Sequence, residues 1–284
     1  MLNSIYLAEA CENTFIIVDC LDETEVSQCV LDELHICLVQ TKRDDALILI
    51  NGQQEQDALS AEMLVFGADK LFGDFCGNGS RACAAYLYAT YPQYKRFFIR
   101  AQNKHRALTH YGNDDYAIEL PSVNFVPNEK FIHQLETFKK ESEFYQFQFG
   151  GKTFFYSDVI EPHLILNEQL SEEAIEALGI ELNLQKELFP LGINLTVFYK
   201  NEQDQQLETV TFERGVRRLT KSCGTGACCA AAFYLKGKPG AINVQNPGGL
   251  LQIYNKKSSV RLQGPGVVTG TFCSNTLING ATVA

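Results

Sequence analysis

Short apolar runs of strand length recur along most of the chain and predict a protein built mainly of strands with a few helices. The runs are bounded by turn-forming residues, such as Asn113-Asp114 and Gly150-Gly151. The segments expected to be strands or hairpins are TFIIVD (14–19), DALILI (45–50), RFFIRAQN with HRALTHYG (96–112), YAIELP (116–121), 144–159 and 195–214. A short helix is expected at 171–178, where a serine N-cap precedes two glutamates.

The most informative pattern is an internal echo. Residues 76–87 read CGNGSRACAAYL, and residues 223–235 read CGTGACCAAAFYL. Each segment begins Cys-Gly-x-Gly and continues into an alanine-rich, almost wholly apolar run. The second has no charged side chain from Gly226 to Leu235, which predicts a helix buried on every side.

The start of each echo segment carries candidate chemistry. Glycines let the backbone approach a ligand closely, and the first amides of a helix lack partners within it. Such an end favours an anion, either a substrate carboxylate or a thiolate, so the cysteines are expected to have a lowered pKa. A single copy could equally be a tight strand-to-helix turn with a buried thiol. Two copies predict a duplicated fold, with two cysteines flanking one bound carbon and moving protons without a cofactor.

Composition narrows the class of protein. The chain has 284 residues, 45% of them hydrophobic, and a formal net charge of −10, which predicts a packed acidic protein and argues against nucleic-acid or polybasic membrane binding. No apolar run is long enough for a bilayer, and the first residues lack signal-peptide features, so a cytoplasmic protein is expected. The ten cysteines are then not expected to form disulfides. No paired C-x2-C motif occurs, so no metal site is expected.

Several motifs, taken in order, resemble the diaminopimelate epimerase family over most of the chain. Two cysteine motifs together with E-R-G form a specific signature. The matching segments are CENTFIIVD (11–19), FCGNGSRAC (75–83), EPHLIL (161–166), FPLGIN (189–194), FERG (212–215), SCGTGACCAA (222–231) and NPGG (246–249).

The resemblance implies an α/β (α+β) fold of two similar domains, each an antiparallel, barrel-like sheet around a central buried helix. Residues 1–120 with 269–284 would form the first domain, and 121–268 the second. It also implies a homodimer, no cofactor, and a small-molecule amino-acid substrate whose α-carbon is epimerised. LL- to meso-diaminopimelate conversion, in lysine and cell-wall precursor synthesis, is the leading expectation.

The family's functional residues map onto matching positions of this chain. Cys76 and Cys223 would be the thiolate and thiol that exchange acid and base roles, and His163 and Glu213 would help to set their protonation states. Main-chain amides would hold the α-carboxylate and stabilise its enolate-like charge. The substrate-binding residues implied in this way are Asn13, Gly77, Asn78, Glu161, Asn194, Arg214, Gly224 and Thr225.

Departures from the family pattern concern the distal end of the substrate. Gly67 and Glu161 stand where the family has asparagines, and Ala46 stands where it has a glutamine. A carboxylate at Glu161 would either neutralise Arg214 or select a substrate with a distal cation. The alternatives left open are a racemase for a basic amino acid or histidine, and a non-catalytic amino-acid-binding relic.

Overall fold

The structure is a computed structural model that describes residues 4–73, 75–101 and 104–272. The strands in these ranges are β1 (Ile5–Ala10), β2 (Asn13–Cys20), β3 (Asp45–Glu55), β4 (Ala58–Gly67), β5 (Phe72–Gly73), β6 (Arg96–Ala101), β7 (Lys104–His110), β8 (Asp115–Pro121), β9 (Lys139–Glu141), β10 (Phe144–Phe149), β11 (Lys152–Val159), β12 (Glu161–Asn167), β13 (Asn194–Asn201), β14 (Gln206–Glu213), β15 (Arg218–Thr220), β16 (Gly240–Asn246), β17 (Gly249–Asn255), β18 (Ser259–Pro265) and β19 (Val267–Phe272). The helices are α1 (Gln28–Thr41), α2 (Gly77–Thr90), α3 (Glu172–Leu184) and α4 (Gly224–Tyr234), with a 3-10 turn at Leu135–Thr137.

Packing divides the chain into two compact units. The first comprises the chain up to Glu119 and from Gln263 onward, and the second comprises Leu120–Leu262. The domain limits predicted from the sequence, 1–120 with 269–284 and 121–268, stay a prediction, and residues 273–284 lie outside the described part. The predicted fold class, α+β with two similar domains that each wrap a sheet around a central buried helix, is confirmed by this architecture. Each sheet is mainly antiparallel, as predicted, but contains two parallel pairs.

The sheet of the first unit has the order β8-β7-β6-β4-β3-β2-β1-β19, with the short β5 paired to β4. Strands β2 and β3 are parallel, as are β4 and β6, and the other pairings are antiparallel. Helix α2 contacts β19 and β1 near one end of this order and β6 and β7 near the other. The sheet therefore curves around the helix.

The second unit repeats this topology. Its order is β9-β10-β11-β12-β13-β14-β16-β17, with β15 paired to β14, and the parallel pairs are β12 with β13 and β14 with β16. Helix α3 joins β12 to β13 as α1 joins β2 to β3, and α4 precedes β16 as α2 precedes β6. The echo in the sequence is therefore one visible part of a repeated fold.

Strand register identifies the positions that correspond in the two units. The two residues of each pair take the same position in the strand pairing of their units. Each helix-capping cysteine also follows the strand before it by the same number of residues. The corresponding pairs are Asn13 and Glu161, Phe15 and His163, Asp45 and Asn194, Phe66 and Phe212, and Cys76 and Cys223. The side chains differ at the first three pairs, whereas the phenylalanine pair and the cysteine pair are identical.

The two echo segments form the helices at the centres of the units. Every residue from Gly77 to Leu87 in α2 and from Gly224 to Ala232 in α4 is buried, because small alanine and glycine side chains let the surrounding strands approach. Two other helices pack on the outer side of the sheets through an apolar stripe: α1 buries Leu34, Cys37 and Leu38, and α3 buries Ile175 and Leu182. Because burial contributes roughly 25 cal/mol per Å² of apolar surface, the two central helices α2 and α4 are a main source of stability.

The strand and hairpin predictions agree with the structure, whereas helix α1 was not predicted. Its sequence, QCVLDELHICLVQT, has a serine cap at Ser27 but mixes cysteines, a histidine and a buried Glu33 into the apolar stripe. Helix α3 begins after Ser171 as predicted, but it continues to Leu184. Among the described residues, no helix is long and apolar enough to cross a membrane.

Candidate active site

In the first unit, Cys76 caps the buried helix α2. Its backbone is extended, and its Sγ accepts a hydrogen bond from the amide of Gly79 at 3.2 Å. Gly77 and Asn78, both predicted to bind substrate, occupy the first helical turn and are buried. A thiol in an N-cap position lies at the positive end of the helix dipole, where a thiolate is stabilised.

A buried arginine supports this helix start from one turn further along. Arg81 is fully buried, and its Nη2 donates to Oδ1 of Asn78 at 2.7 Å while Nη1 donates to the carbonyl of Gly77 at 3.3 Å. Its Nε donates to the carbonyl of Pro265 at 3.1 Å, and Nη2 also lies 3.5 Å from Sγ of Cys11. Arg81 therefore fixes the side chain of Asn78 and ties α2 to the turn between β1 and β2.

That turn carries Asn13. Cys11 and Glu12 both have positive φ, of 52° and 59°, as a tight turn between antiparallel strands requires. The side-chain amide of Asn13 donates to the carbonyl of Cys11 at 3.1 Å. The first unit thus brings Asn13, Arg81, Asn78 and Cys76 into one connected group.

In the second unit, Cys223 caps α4 in the same way. Its Sγ accepts from the amide of Gly226 at 3.4 Å and lies 3.4 Å from Oγ1 of Thr225. Gly224 and Thr225 occupy the first turn and are buried. The prediction that both Cys-Gly-x-Gly segments start buried helices is confirmed.

His163 lies beneath this helix start. It is fully buried on β12, with Nε2 at 3.0 Å from Oγ1 of Thr225 and Nδ1 at 2.9 Å from Oγ1 of Thr196. Burial, aided by the charge of Arg214, lowers the pKa of His163 to about 3, so the ring is neutral at physiological pH. The imidazole reaches the thiol through Thr225, and it carries no positive charge that would stabilise a thiolate.

The helix start can approach His163 so closely because residue 226 is glycine. A Cβ on Gly226 would lie 2.6 Å from Oγ1 of Thr196 and 2.8 Å from Oγ1 of Thr211, with Cε1 of His163 at 3.3 Å. Those two hydroxyls are themselves hydrogen bonded at 3.0 Å. Any larger residue at 226 would displace the polar group that holds the ring.

Asn194 and Glu161 both contact Arg214. Oδ1 of Asn194 accepts from the Arg214 amide at 2.9 Å, and its Nδ2 lies 3.5 Å from Nε2 of His163. The guanidinium donates to Oε2 of Glu161 from Nε at 3.1 Å and from Nη2 at 2.6 Å, and it lies over the ring of Phe131. Of the two outcomes considered for Glu161, the structure therefore contains the ion pair with Arg214.

Glu213 acts on Cys223 through its charge. Oε1 of Glu213 accepts from the hydroxyl of Thr220 at 2.6 Å. Burial, with a further contribution from this carboxylate, raises the pKa of Cys223 well above its ordinary value, although hydrogen bonds from Thr225 and Gly226 oppose the rise. The lowered pKa expected for Cys223 from its helix position is therefore wrong, because burial and a nearby negative charge outweigh the helix dipole.

The structure thus groups the predicted residues within each unit, while their roles stay predictions. Sequence reasoning missed three members: Arg81, Thr196 and Thr211. The threonines gave no signal, because isolated hydroxyls inside strands are ordinary. Arg81 gave a signal in the sequence, because a lone charge in an otherwise apolar helix needs partners.

Within the described ranges, no cluster of three or more His, Cys, Asp or Glu side chains could hold a metal ion.

Comparisons with solved structures identify other proteins that share this fold. A hydroxyproline epimerase from Agrobacterium vitis, determined with bound trans-4-hydroxy-L-proline, matches with a TM-score of 0.64 and 14% identity, covering 99% of this chain and 94% of that one. A phenazine biosynthesis protein of Enterococcus faecalis matches with a TM-score of 0.58 and 15% identity, covering 95% and 98%. These likenesses show that the chain shares its fold with these proteins.

Curated relatives narrow the resemblance further. A diaminopimelate epimerase of Chlamydia trachomatis is 26% identical over 267 residues, covering 89% of this chain and 86% of the relative. The diaminopimelate epimerase of Caldanaerobacter subterraneus is 28% identical over 275 residues, covering 89% and 92%. No family model matches the chain. The resemblance to diaminopimelate epimerases predicted from the motifs is confirmed, and these homologues support an isomerase of the epimerase or racemase class.

Proposed function

We propose that this protein inverts the α-carbon of an amino acid by a two-base reaction that uses Cys76 and Cys223 and needs no cofactor. The carrying observation is that both cysteines cap buried helices at corresponding positions of a duplicated fold, each with Sγ accepting from the amide three residues on. A structural thiol has no reason to recur at the same N-cap in both units. An acid–base pair that must serve both configurations of one carbon does.

In the proposed reaction, one cysteine thiolate removes the α-hydrogen as a proton. The electron pair left on carbon delocalises into the α-carboxylate, which takes on enolate character. The other cysteine then gives its thiol proton to the opposite face of the carbon, so that configuration inverts and the two cysteines exchange protonation states. The reverse reaction starts from that exchanged state.

The helix starts provide the stabilisation that this reaction needs. An enolate-like carboxylate carries more negative charge than the ground state, and amides at a helix N-terminus donate to such charge. Gly77, Asn78, Gly224 and Thr225 are the first-turn residues proposed for this role. We assign His163 and Glu213 as positioning residues that act on Cys223, the first through Thr225 and the second through its charge.

Diaminopimelate is the leading substrate. The curated relatives carry this name, and a distal ammonium and carboxylate would meet the oppositely charged members of the Glu161–Arg214 pair. Asn194, which accepts from the Arg214 amide, holds that arginine in place. Epimerisation of LL- to meso-diaminopimelate would belong to lysine and cell-wall precursor synthesis.

The same ion pair supports a second candidate, a racemase for histidine or a basic amino acid that has no distal carboxylate. Both guanidinium donors that reach Glu161 converge on a single oxygen, and the pair is largely buried, with 11% and 15% of the side chains exposed. Gly67 and Ala46 provide no side-chain amide for a distal carboxylate. A non-catalytic amino-acid-binding protein is the third possibility, and retention of both cysteines argues against it.

A deuterium wash-in assay tests the proposal. The purified protein is incubated in heavy water with diaminopimelate, lysine, ornithine, histidine and proline, each supplied as a single stereoisomer. Incorporation of one deuterium at the α-carbon of the inverted product supports the proposal and identifies the substrate. Absence of exchange with every amino acid, in protein that binds one of them, favours the non-catalytic alternative.

Two expectations beyond the chemistry stay predictions. The homodimer is expected from the family resemblance alone, and light scattering on the purified protein measures it. The cytoplasmic localisation stays a prediction from composition.

A further inference from the structure

The two capping cysteines stand in different electrostatic surroundings, with buried arginines in the first unit and a carboxylate near the cysteine of the second. Arg81 is 0% exposed, and its four acceptors are the carbonyls of Gly77 and Pro265, Oδ1 of Asn78 and Sγ of Cys11. None of these groups is a carboxylate. Within the described ranges, Arg81 therefore carries a buried positive charge that no acidic side chain compensates by hydrogen bonding.

A second buried arginine lies on the same side of the unit. Arg106 on β7 is 6% exposed, and its Nε is buried without a hydrogen-bond partner among the described residues. Its guanidinium lies 5.6 Å from the ring centre of Phe75, the residue immediately before Cys76. Burial lowers the pKa of Arg106, because it disfavours the charged form of the guanidinium.

The second unit has neutral residues at both corresponding positions. Cys228 follows Cys223 by the same five residues that separate Arg81 from Cys76, and it is fully buried. Leu251 pairs with Val244 on β16 as Arg106 pairs with Ile99 on β6. The charge near the second cysteine is instead negative, because Glu213 follows the last buried residue of β14, where the first unit has Gly67.

We propose that Cys76 is the thiolate and Cys223 the thiol of the resting protein, and that Arg81 is the positioning residue that establishes this order. Buried charges act strongly because little water screens them. Arg81 holds Gly77 and Asn78 at the helix start and adds its own charge to the helix dipole. The assignment deepens the proposed two-base reaction, and it rests on that reaction only for its catalytic meaning.

The other titratable groups around each cysteine are consistent with this order. Among the described residues, Cys83 on α2 is coupled to Cys76, since its pKa is raised by burial and then by the charge of Cys76, and Cys11 on the β1–β2 turn contacts Arg81. Asp74, two residues before Cys76, lies outside the described part. Around Cys223 they are Glu213, Cys229 and the neutral His163, and the nearby Arg214 is paired with Glu161.

The test measures the pH dependence of labelling at each cysteine. Wild-type protein without substrate is treated briefly with iodoacetamide over a range of pH, and the peptides that contain Cys76 and Cys223 are quantified by mass spectrometry. Each curve is normalised to its own plateau, so that different accessibility does not enter. We expect the midpoint for Cys76 to lie below that for Cys223 by at least about one pH unit. A midpoint for Cys223 equal to or lower than that of Cys76 overturns the assignment.

Variants of Arg81 separate the effect of its charge on Cys76 from its structural role at the helix start. Arg81→Met should raise the midpoint of Cys76 by about one to three pH units, whereas Arg81→Lys, which keeps the charge, should raise it much less. If Arg81→Met does not fold, as judged by circular dichroism, Arg81→Gln replaces it. Arg96→Met removes an exposed arginine paired with Asp57 and is the matched control, expected to change neither midpoint. An unchanged Cys76 midpoint after loss of the Arg81 charge overturns the role of Arg81.

These outcomes are distinguishable from failure of the proposed function. Labelling needs no substrate, so a low, Arg81-dependent midpoint at Cys76 in a protein that exchanges no α-hydrogen would reject the reaction and retain the assignment. Deuterium exchange in a protein whose Cys223 has the lower midpoint would retain the proposed reaction and reject the assignment of Cys76 as the thiolate.

Discussion

Glu161 and Arg214 form an ion pair in which Nε and Nη2 of the arginine both donate to the same oxygen, Oε2, at 3.1 and 2.6 Å. The pair occupies the place where related epimerases are expected to present a neutral amide beside an arginine. The carboxylate of Glu161 places a negative charge where the family pattern has a neutral asparagine. In the proposed reaction, this ion pair would select the distal group of the substrate.

Replacing Glu161 tests the leading substrate. If the distal ammonium of diaminopimelate meets this carboxylate, Glu161→Asn removes a charge-assisted hydrogen bond, and kcat/KM for diaminopimelate should fall about 10-fold or more. Steady-state rates with diaminopimelate, lysine, ornithine and histidine, on wild type and the variant, measure this. A rise in diaminopimelate turnover in the variant, together with preference of the wild type for a basic amino acid, would exclude the diaminopimelate assignment and leave the mechanism standing.

The two-base reaction requires both cysteines for inversion of the α-carbon. Cys76→Ala and Cys223→Ala should each lower inversion of the α-carbon by more than about 100-fold, since each removes one proton-transfer group. Cys29→Ala changes an exposed cysteine on α1 and should have no effect. Chiral chromatography of the product measures inversion, and circular dichroism checks that each variant is folded. Near-wild-type turnover by either alanine variant would contradict the proposed roles.

Cofactor independence is tested by inhibitors of different chemistry. A chelator and a carbonyl reagent such as hydroxylamine should leave activity unchanged, because neither a metal ion nor pyridoxal phosphate takes part in the proposed reaction. Iodoacetamide should abolish activity, and a bound substrate should protect against it. Loss of activity with chelator or hydroxylamine alone would show that the reaction uses a group other than the two thiols.

Local patterns in the sequence were sufficient to predict the strands and helices whose apolar residues recur with a regular period. The two alanine-rich helices and their cysteine caps followed from composition alone. Pairing between distant residues could not be read in the same way: Arg81 meets Pro265, which lies 184 residues away. The pKa of Cys223 was predicted with the wrong sign, because the dipole of a helix is visible in sequence and the degree of burial is not.

Glu213 is expected to keep Cys223 protonated. After burial, its negative charge is the largest contribution to the raised pKa of that thiol, so Glu213→Gln should lower the pKa and form thiolate at lower pH. The labelling midpoint of Cys223 should therefore fall, and the alkaline limb of the activity profile should move to lower pH. Glu202→Gln, in the exposed turn after β13, removes the same charge at a distance and should change neither. An unchanged Cys223 midpoint in Glu213→Gln would reject this electrostatic role.

His163 should make the protein acid-sensitive. Its pKa is about 3 in the folded protein, against an ordinary value of 6.5, because burial disfavours the imidazolium. Between these two values the unfolded chain binds a proton that the native protein does not, so the free energy of unfolding decreases as pH falls below 6.5. The slope approaches about 1.4 kcal/mol per pH unit for this one group.

Urea unfolding of wild type and His163→Gln, measured from neutral pH to about pH 4, isolates that contribution, since glutamine does not titrate and keeps a hydrogen-bonding amide. The variant should be less stable near pH 7, where two hydrogen bonds to threonines are weakened, but its stability should fall less steeply with acid. Parallel pH dependences in the two proteins would mean that His163 is protonated in the folded state.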